Sequence, residues 1–424
     1  MKGGVIRILL TVAGWLPVFA VADDWPQYRG LNRDGNWAES GLLDRFPESG
    51  PEVAWRQAVG FGWSSPVVAG GRVFVADAEL KDPVAEERLL CFDERSGERL
   101  WAFSFRAPYP EWAFVPGQGG GPSATPIVEG DRIYRLGANG EAHCLEVATG
   151  AMVWERKLAD EFEIWSMGCR ASPLIDGERL ILFVGAKPGA TVMALDKRTG
   201  QTLWQAMDDK ISNSSPMLIE SADGRRHLIV WSTDAVFSLE PETGHLEWRQ
   251  AMTTSNNDCV ATPVRVGKRL LIGGLMMEDE MPAILWPKEW NAPMKRLLSN
   301  TSTALVGETV LYSPRMKGEL VCLDTATGEE KWKADGLTES KTGASLHLTA
   351  TGEGKAFLFS DEGVLIRARL SPEGYEELSR AKVIEPTSPF GGKMMAWTPP
   401  AYANGHGFFR NDREVVCVSL RAGP

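Results

Sequence analysis

Histidine is scarce in this chain of 424 residues. The five present, His143, His227, His245, His347 and His406, include no pair at metal-ligand spacing. There is no Gly-x-Ser-x-Gly turn, so nothing nominates a hydrolase nucleophile. The glycine runs Gly119–Gly121 and Gly391-Gly392-Lys393 lack the spaced Gly…Gly-Lys-Ser/Thr pattern of a phosphate loop and read as loops between strands. Glu278-Asp279-Glu280 is a short acidic cluster of the kind a solvated loop carries. Lysine and arginine form no run, and the net charge is −11, which removes the basic face that a polyanion binder needs. After Phe19 no apolar stretch approaches membrane-spanning length.

What is present begins with a targeting pattern. Lys2 and Arg7 make a positive start, Ile8 to Phe19 is apolar with Gly14 and Pro17 near its end, and Ala20-Val21-Ala22 is a small-x-small cleavage site. The expected division is a signal peptide at 1–22, an N-terminal arm at 23–48 and a repeat domain at 49–422. An uncleaved N-terminal anchor is the alternative. The first cysteine is Cys91, so no cysteine stands at the cleavage site to take a lipid. The expectation is an exported protein, periplasmic or extracellular, soluble and not a lipoprotein.

Six cysteines in an exported chain would suggest three disulfides. Four of them instead share one slot: Leu-Leu-Cys91-Phe-Asp, Ala-His-Cys144-Leu-Glu, Leu-Val-Cys322-Leu-Asp and Val-Val-Cys417-Val-Ser, with Ala194 and Ser238 in the same slot elsewhere. That slot wants a small, half-apolar residue, and equivalent slots on separate repeats are too distant to bridge. Cys169 and Cys259 fall in loops.

The repeat behind that slot is the dominant signal. Acid-x-x-Ser/Thr-Gly-x-x-x-Trp occurs five times with unchanged spacing, beginning at Asp93, Glu146, Asp196, Glu240 and Asp324 and ending at Trp101, Trp154, Trp204, Trp248 and Trp332. Upstream of each copy stand a small-residue start, usually ending in Pro, and alternating apolar runs such as Arg72-Val73-Phe74-Val75, which read as strands. The acid can accept from turn N–H groups, the glycine meets a need for positive φ, and the tryptophan offers a large face to a neighbour. Each repeat is about four strands and cannot bury both faces alone, so copies must stack radially.

Counting gives the expected fold: an all-β, eight-bladed β-propeller of four-stranded antiparallel blades. Five blades carry the full motif. A sixth, degraded one runs from Ala261-Thr262-Pro263 past Trp286, with an insertion near Met276 to Pro282. A seventh spans about Gly343 to Leu378, where Ser371-Pro372-Glu373-Gly374-Tyr375 replaces the turn, and the eighth runs from Thr398 to Ser419 without a Trp strand. The missing strand stands at the other end, in Ser49-Gly50-Pro51-Glu52-Val53-Ala54-Trp55, so an N-terminal strand is expected to close the ring and remove the open edge.

These motifs resemble the pyrroloquinoline-quinone-type repeat family of exported propellers. Asp24-Trp25-Pro26-Gln27-Tyr28-Arg29-Gly30-Leu31-Asn32-Arg33-Asp34-Gly35 and Gly119-Gly120-Gly121-Pro122-Ser123-Ala124-Thr125-Pro126 are similar to stretches of members likened to the outer-membrane assembly propeller. The resemblance implies the fold over nearly the whole mature chain and leaves function open. It departs from the quinoprotein dehydrogenases, whose adjacent Cys-Cys pair is missing here and whose metal ligands have no motif in this chain.

The repeat tryptophans Trp55, Trp101, Trp154, Trp204, Trp248 and Trp332 are expected to pack between blades. Residues just before each inner strand ring one mouth of a propeller channel. Here they are Trp63, Arg170, Asn213, Asp258, Asn300, Lys341 and Trp397, a set that differs from blade to blade as a ligand-reading surface does. A polar, water-filled channel is the plainer reading. The leading functional expectation is a non-enzymatic, monomeric propeller that binds or scaffolds an envelope or extracellular protein, or a small ligand, at that mouth. It has no nucleic-acid partner, no transmembrane span in the mature chain and no cofactor. The alternative is a pyrroloquinoline-quinone-dependent oxidoreductase with a metal ion, in which Asp258 would be the acid, Asn213, Asn257 and Asn300 amide ligands, and Arg170 or Lys341 partners of the quinone. A hydrolase or lyase in the channel has only the general capacity of propellers behind it.

Overall fold

The computed structural model describes residues 24–423 apart from 116–119, 222, 253–258, 274, 279–283, 287–297, 300, 316 and 339–343. The segment expected as a signal peptide lies outside them. Strands dominate, and the helical turns among the described residues are two short 3-10 pieces, Glu111–Phe114 and Leu158–Asp160.

The strands pair antiparallel in chain order into four-stranded sheets. The first sheet runs from Val67–Ala69 through Arg72–Lys81 and Val84–Asp93 to Arg99–Ala107. The second runs from Ile127–Glu129 to Met152–Lys157, the third from Leu174–Asp176 to Thr202–Ala206, and the fourth from Met217–Glu220 to Leu246–Ala251. After a gap come Leu305–Val306 to Glu330–Ala334 and Leu346–Ala350 to Gly374–Lys382. Burial falls from the inside outwards: Val67–Ala69 is wholly buried, while Met152–Lys157 alternates between exposed and buried residues. The first strands of neighbouring sheets abut one another, Val67–Ala69 lying between Ile127–Glu129 and Ala401–Ala403. Sheets that meet along their first strands and diverge outwards are blades around an axis.

The number of blades is a correction. Seven sheets are full blades, not eight. The segment expected as a degraded blade pairs only as a short ladder of three- and four-residue strands, Val264–Val266, Arg269–Ile272, Leu275–Glu278 and Ile284–Trp286. The side chains of its outer two strands are outside the described residues. That segment lacks the acid–glycine–tryptophan turn, and unlike Val364–Ser371 and Gly374–Lys382, which a two-residue turn joins, its outer strands are separated by residues 279–283.

The last full blade takes strands from both ends of the chain. Ala401–Ala403, His406–Arg410 and Glu414–Ser419 are completed by Val53–Ala58, with Trp55 opposite Cys417 and Ala58 opposite Glu414.

Two devices tie blades together. Near the axis, a chain of hydroxyls links the small residues that precede the inner strands. Ser65 N–H donates to Thr125 Oγ1, Thr125 N–H to Ser172 Oγ and Ser172 N–H to Ser215 Oγ, each at 3.0 Å. Proline holds the residue before it extended, which leaves that N–H free for the next blade. Towards the rim, Trp55, Trp101, Trp154, Trp204 and Trp332 dock on the following blade's turn. Trp101 Nε1 donates to Val147 O at 3.1 Å, Trp154 Nε1 to Lys197 O at 2.9 Å and Trp204 Nε1 to Pro241 O at 3.0 Å. The ring of Trp101 lies so close under Gly150, which has a φ of +71°, that a Cβ there would stand 2.5 Å from it. The turn glycine therefore serves the close approach as well as the left-handed backbone. In the turn itself, Asp93 Oδ1 accepts from Ser96 N–H at 2.8 Å, and these bonds hold its carboxyl below the usual range.

The segment 24–37 lies across the axis. Trp25 and Val68 exchange both backbone bonds at 2.9 Å, Val128 N–H donates to Pro26 O at 2.8 Å, and Trp37 N–H donates to Ala350 O at 2.8 Å. Arg33 Nη1 donates to Pro173 O at 2.8 Å. One short stretch thus touches the inner strands of four blades. Val68 and Val128 are the middle residues of their strands, Ala350 ends its own and Pro173 precedes one, so the arm runs along the inner strands of the ring. Trp25, Trp37 and Phe46 join the core of the closing blade, where Trp37 stacks on Tyr402 with ring centroids 5.4 Å apart.

Candidate functional site: the channel mouth

The mouth is the side of the ring from which the inner strands start. Three of the residues expected there come together. Trp63 and Trp397 form a wedge with centroids 6.4 Å apart and planes at 58°, and the Arg170 guanidinium lies 5.8 Å from the Trp63 ring centre. Arg170 belongs to the third blade's entry and Trp63 to the first blade's, so Arg170 reaches past the second. Its Nε donates to Met167 O at 3.2 Å. Burial pulls its pKa below the usual arginine value, with Tyr109 acting in the opposite direction. Asn213 sits half-buried at the fourth blade's entry. Asp258, Asn300 and Lys341, with Asn257, lie outside the described residues.

The wedge is held by a hairpin that sequence reading did not find, Ser388–Phe390 paired with Lys393–Met395. Trp63 Nε1 donates to Ser388 Oγ at 3.3 Å, and Ser388 Oγ donates to Asp412 Oδ2 at 2.5 Å. Asp412 Oδ1 also accepts from Gly62 N–H at 3.3 Å, so one carboxylate holds Trp63 both through its neighbouring backbone and through Ser388. Phe390 meets Trp397 edge-on at 5.1 Å and is 45% exposed, and Phe61 and Met394 are 42% and 52% exposed. Large side chains this open at one rim give an apolar lip with a cation behind it.

Behind the lip lies a buried polar cluster, also unread in the sequence because its members come from three segments. Arg135 pairs with Glu87, both essentially without solvent contact, and Tyr109 Oη donates to Glu87 Oε1 at 2.8 Å. Glu141 Oε2 accepts from Asn139 N–H at 3.2 Å, and Asn139 Oδ1 accepts from Met167 N–H at 2.7 Å, next to the loop that carries Arg170. Burial, then the charge of Glu87, pushes the Glu141 carboxyl up to about 7 from 4.5. Arg135, which opposes this, and Tyr109 and Cys169 share its surroundings. A carboxyl whose folded pKa is raised favours the protonated state. Its contribution is fully present below 4.5 and is lost as pH rises through 7, a change worth about 3 kcal/mol. Glu141→Gln removes this loss. The variant should therefore gain on the wild type as pH rises across that window and hold a constant gap above it, in denaturant melts at a series of pH values. A gap independent of pH would show that Glu141 is ionised throughout.

The repeat tryptophans stand on outer strands, away from the mouth. Trp55, Trp154 and Trp204 are buried, and Trp101, Trp248 and Trp332 half-buried. The family described as outer membrane protein assembly factor BamB matches residues 45–189, 85–277 and 188–369. The chain belongs to that family. A BamB of Burkholderia pseudomallei is 28% identical over 165 residues, 38% of this chain and 38% of the relative's own length. A BamB of Shewanella oneidensis is 23% identical over 314 residues, 66% of this chain and 70% of that one. Among solved structures, BamB from Moraxella catarrhalis superposes with a TM-score of 0.59 at 16% identity, covering 88% of this chain and 98% of its own. Quinohemoprotein alcohol dehydrogenase from Comamonas testosteroni does so with 0.65 at 12%, covering 95% and 81%. At such identities these likenesses speak for the fold alone.

Of the residues expected around a quinone and its metal, Asn257, Asp258, Asn300 and Lys341 lie outside the described residues. Among the described residues there is no group of three or more His, Cys, Asp or Glu able to hold a metal ion. The six cysteines are buried free thiols with no adjacent pair. The described BamB-type mouth offers binding chemistry: stacking, apolar contact and one guanidinium. No helix among the described residues is long and apolar enough to cross a membrane.

Proposed function

We propose that this chain is an exported, non-enzymatic propeller that scaffolds an envelope protein, or holds another ligand, at the mouth built by Trp63, Arg170 and Trp397. Asn213, Asp258, Asn300 and Lys341 extend that surface by their place before the inner strands. The observation that carries the reading is the tryptophan wedge with its exposed Phe390 and Met394. Exposed aromatics around a cation are what protein recognition uses for anchoring. Family membership supports it, since the relatives named above are assembly factors of outer membrane proteins. The reading includes cleavage after Ala22, a structural unit from 49 to 422 and a monomer.

A photo-reactive residue in place of Phe390 or Met394, compared in cells with one in place of Leu203 on an outer strand, tests it. The expected result is a discrete adduct from the lip positions that Trp63→Ala diminishes, with none from Leu203. Equal adducts from lip and outer strand would overturn the assignment of the mouth.

A further inference from the structure

An arginine withdrawn from water keeps its charge and is costly to hold without a counter-charge. Most buried arginines of this protein have one. Arg135 pairs with Glu87, while Arg410 lies in the field of Asp77 and Asp412 and Arg367 in that of Asp44. Arg33 does not. It is 4% exposed, and its bonds run to neutral oxygens, Pro173 O at 2.8 Å, Ser172 O at 3.4 Å and Gln27 Oε1 at 3.2 Å. It makes no ion pair among the described residues, and its Nε is buried without a partner. Nearby, Arg29 bonds the carbonyls of Arg33 and Asp34, and its positive field bears on both Arg33 and His347.

Arg33 meets the third blade's entry at Ser172 and Pro173. Arg170 stands two residues before Ser172 at that same entry. Its Nη groups have no bond among the described residues, since its contacts are the Met167 carbonyl through Nε and the face of Trp63. Two guanidinium groups at one blade entry, beside the aromatic wedge, form a patch of positive potential in a molecule of net charge −11.

We infer that the third blade's entry binds an oxyanion group, a carboxylate or a phosphate, between Arg170 and Arg33. The guanidinium fork matches the paired oxygens of either group, and the bond strengthens where water is excluded. The anion supplies the counter-charge that Arg33 lacks. This rests on the mouth being a binding site and names the chemistry it selects.

The test is titration of the full mature chain with inorganic phosphate and, separately, with succinate, at ionic strength held constant by chloride, followed by calorimetry and tryptophan fluorescence. Saturable binding of either probe is expected, with a fluorescence change from Trp63 and Trp397. Arg170→Gln should weaken it ~10-fold or more, as loss of a charge-assisted bond does, and Arg170→Lys should recover part of it. Preference for phosphate or succinate tells which oxyanion the patch suits. No saturable response beyond the chloride control, or binding unchanged in Arg170→Gln, would overturn the inference. Lip-position adducts persisting in that case would leave the scaffold reading standing. Loss of those adducts would remove the scaffold reading itself.

Discussion

A chain that begins at Phe61 is expected not to yield a folded monomer. The removed residues include Val53–Ala58, which covers the edge of Glu414–Ser419, a strand whose Val415, Val416, Cys417 and Val418 are wholly buried. They also include Trp25, Trp37, Phe46 and Trp55, all members of one core cluster at 8% exposure or less. Losing a single buried aromatic costs ~3–5 kcal/mol, and a whole domain is stable by only ~5–15 kcal/mol. The bared edge would then offer itself to other chains. Size-exclusion chromatography and near-ultraviolet circular dichroism should show aggregated or loosely packed material. A monodisperse monomer with an unchanged melt would mean that neither the closing strand nor the arm holds the ring.

The second large effect belongs to the interlock between blades. Trp154→Ala should destabilise by roughly 3–5 kcal/mol. The side chain is buried, its Nε1 bonds Lys197 O, and its ring lies under Gly200 and 6.2 Å from Tyr134. Thr149→Ala, in the turn that closes the same blade, removes exposed bonds to Glu146 Oε2 and Ala151 N–H and should cost under about 1 kcal/mol. Gly150→Ala in that turn should cost more than Thr149→Ala despite adding one carbon, because that carbon would meet the Trp101 ring. Denaturant melts rank the three. If Trp154→Ala proved milder than Thr149→Ala, the tryptophan would be a surface residue and the interlock would be elsewhere.

Both effects trace to features of different legibility. The blade turns could be read directly, because acid, glycine and tryptophan sit within nine residues and each answers a local need: turn N–H groups, positive φ and a packing face. The closing strand was readable for the same reason, since Gly50 to Trp55 is a turn and strand with no blade before it. The cysteine slot was equally plain, and Cys91, Cys144, Cys322 and Cys417 are buried free thiols. Counting blades failed where the repeat lost its turn. Between Trp248 and Leu305 the apolar runs were visible, but without the motif they could not show that only a short ladder forms.

The mouth was half legible. That residues before the inner strands face one end follows from strand direction alone, and Trp63, Arg170 and Trp397 were found that way. That Arg170 crosses to Trp63, and that a separate hairpin brings Ser388 and Phe390 to the wedge, depends on side chains and loops hundreds of residues apart. The arm is the clearest case. Asp24 to Gly35 was recognisable as a motif, yet nothing local says that it lies across the axis and touches four blades.

By itself, then, the sequence determined the unit of this protein: a four-stranded sheet with a small-residue entry, a fixed outer turn and a tryptophan to lock it to the next. Those are short-range requirements, met within a few residues of chain. Only the tertiary structure decided how many full units form, where the arm lies and what gathers at the mouth. Those outcomes depend on burying Trp25, Trp37 and Arg33 against blades far away in sequence, and the energy of such contacts exists only once the ring has closed.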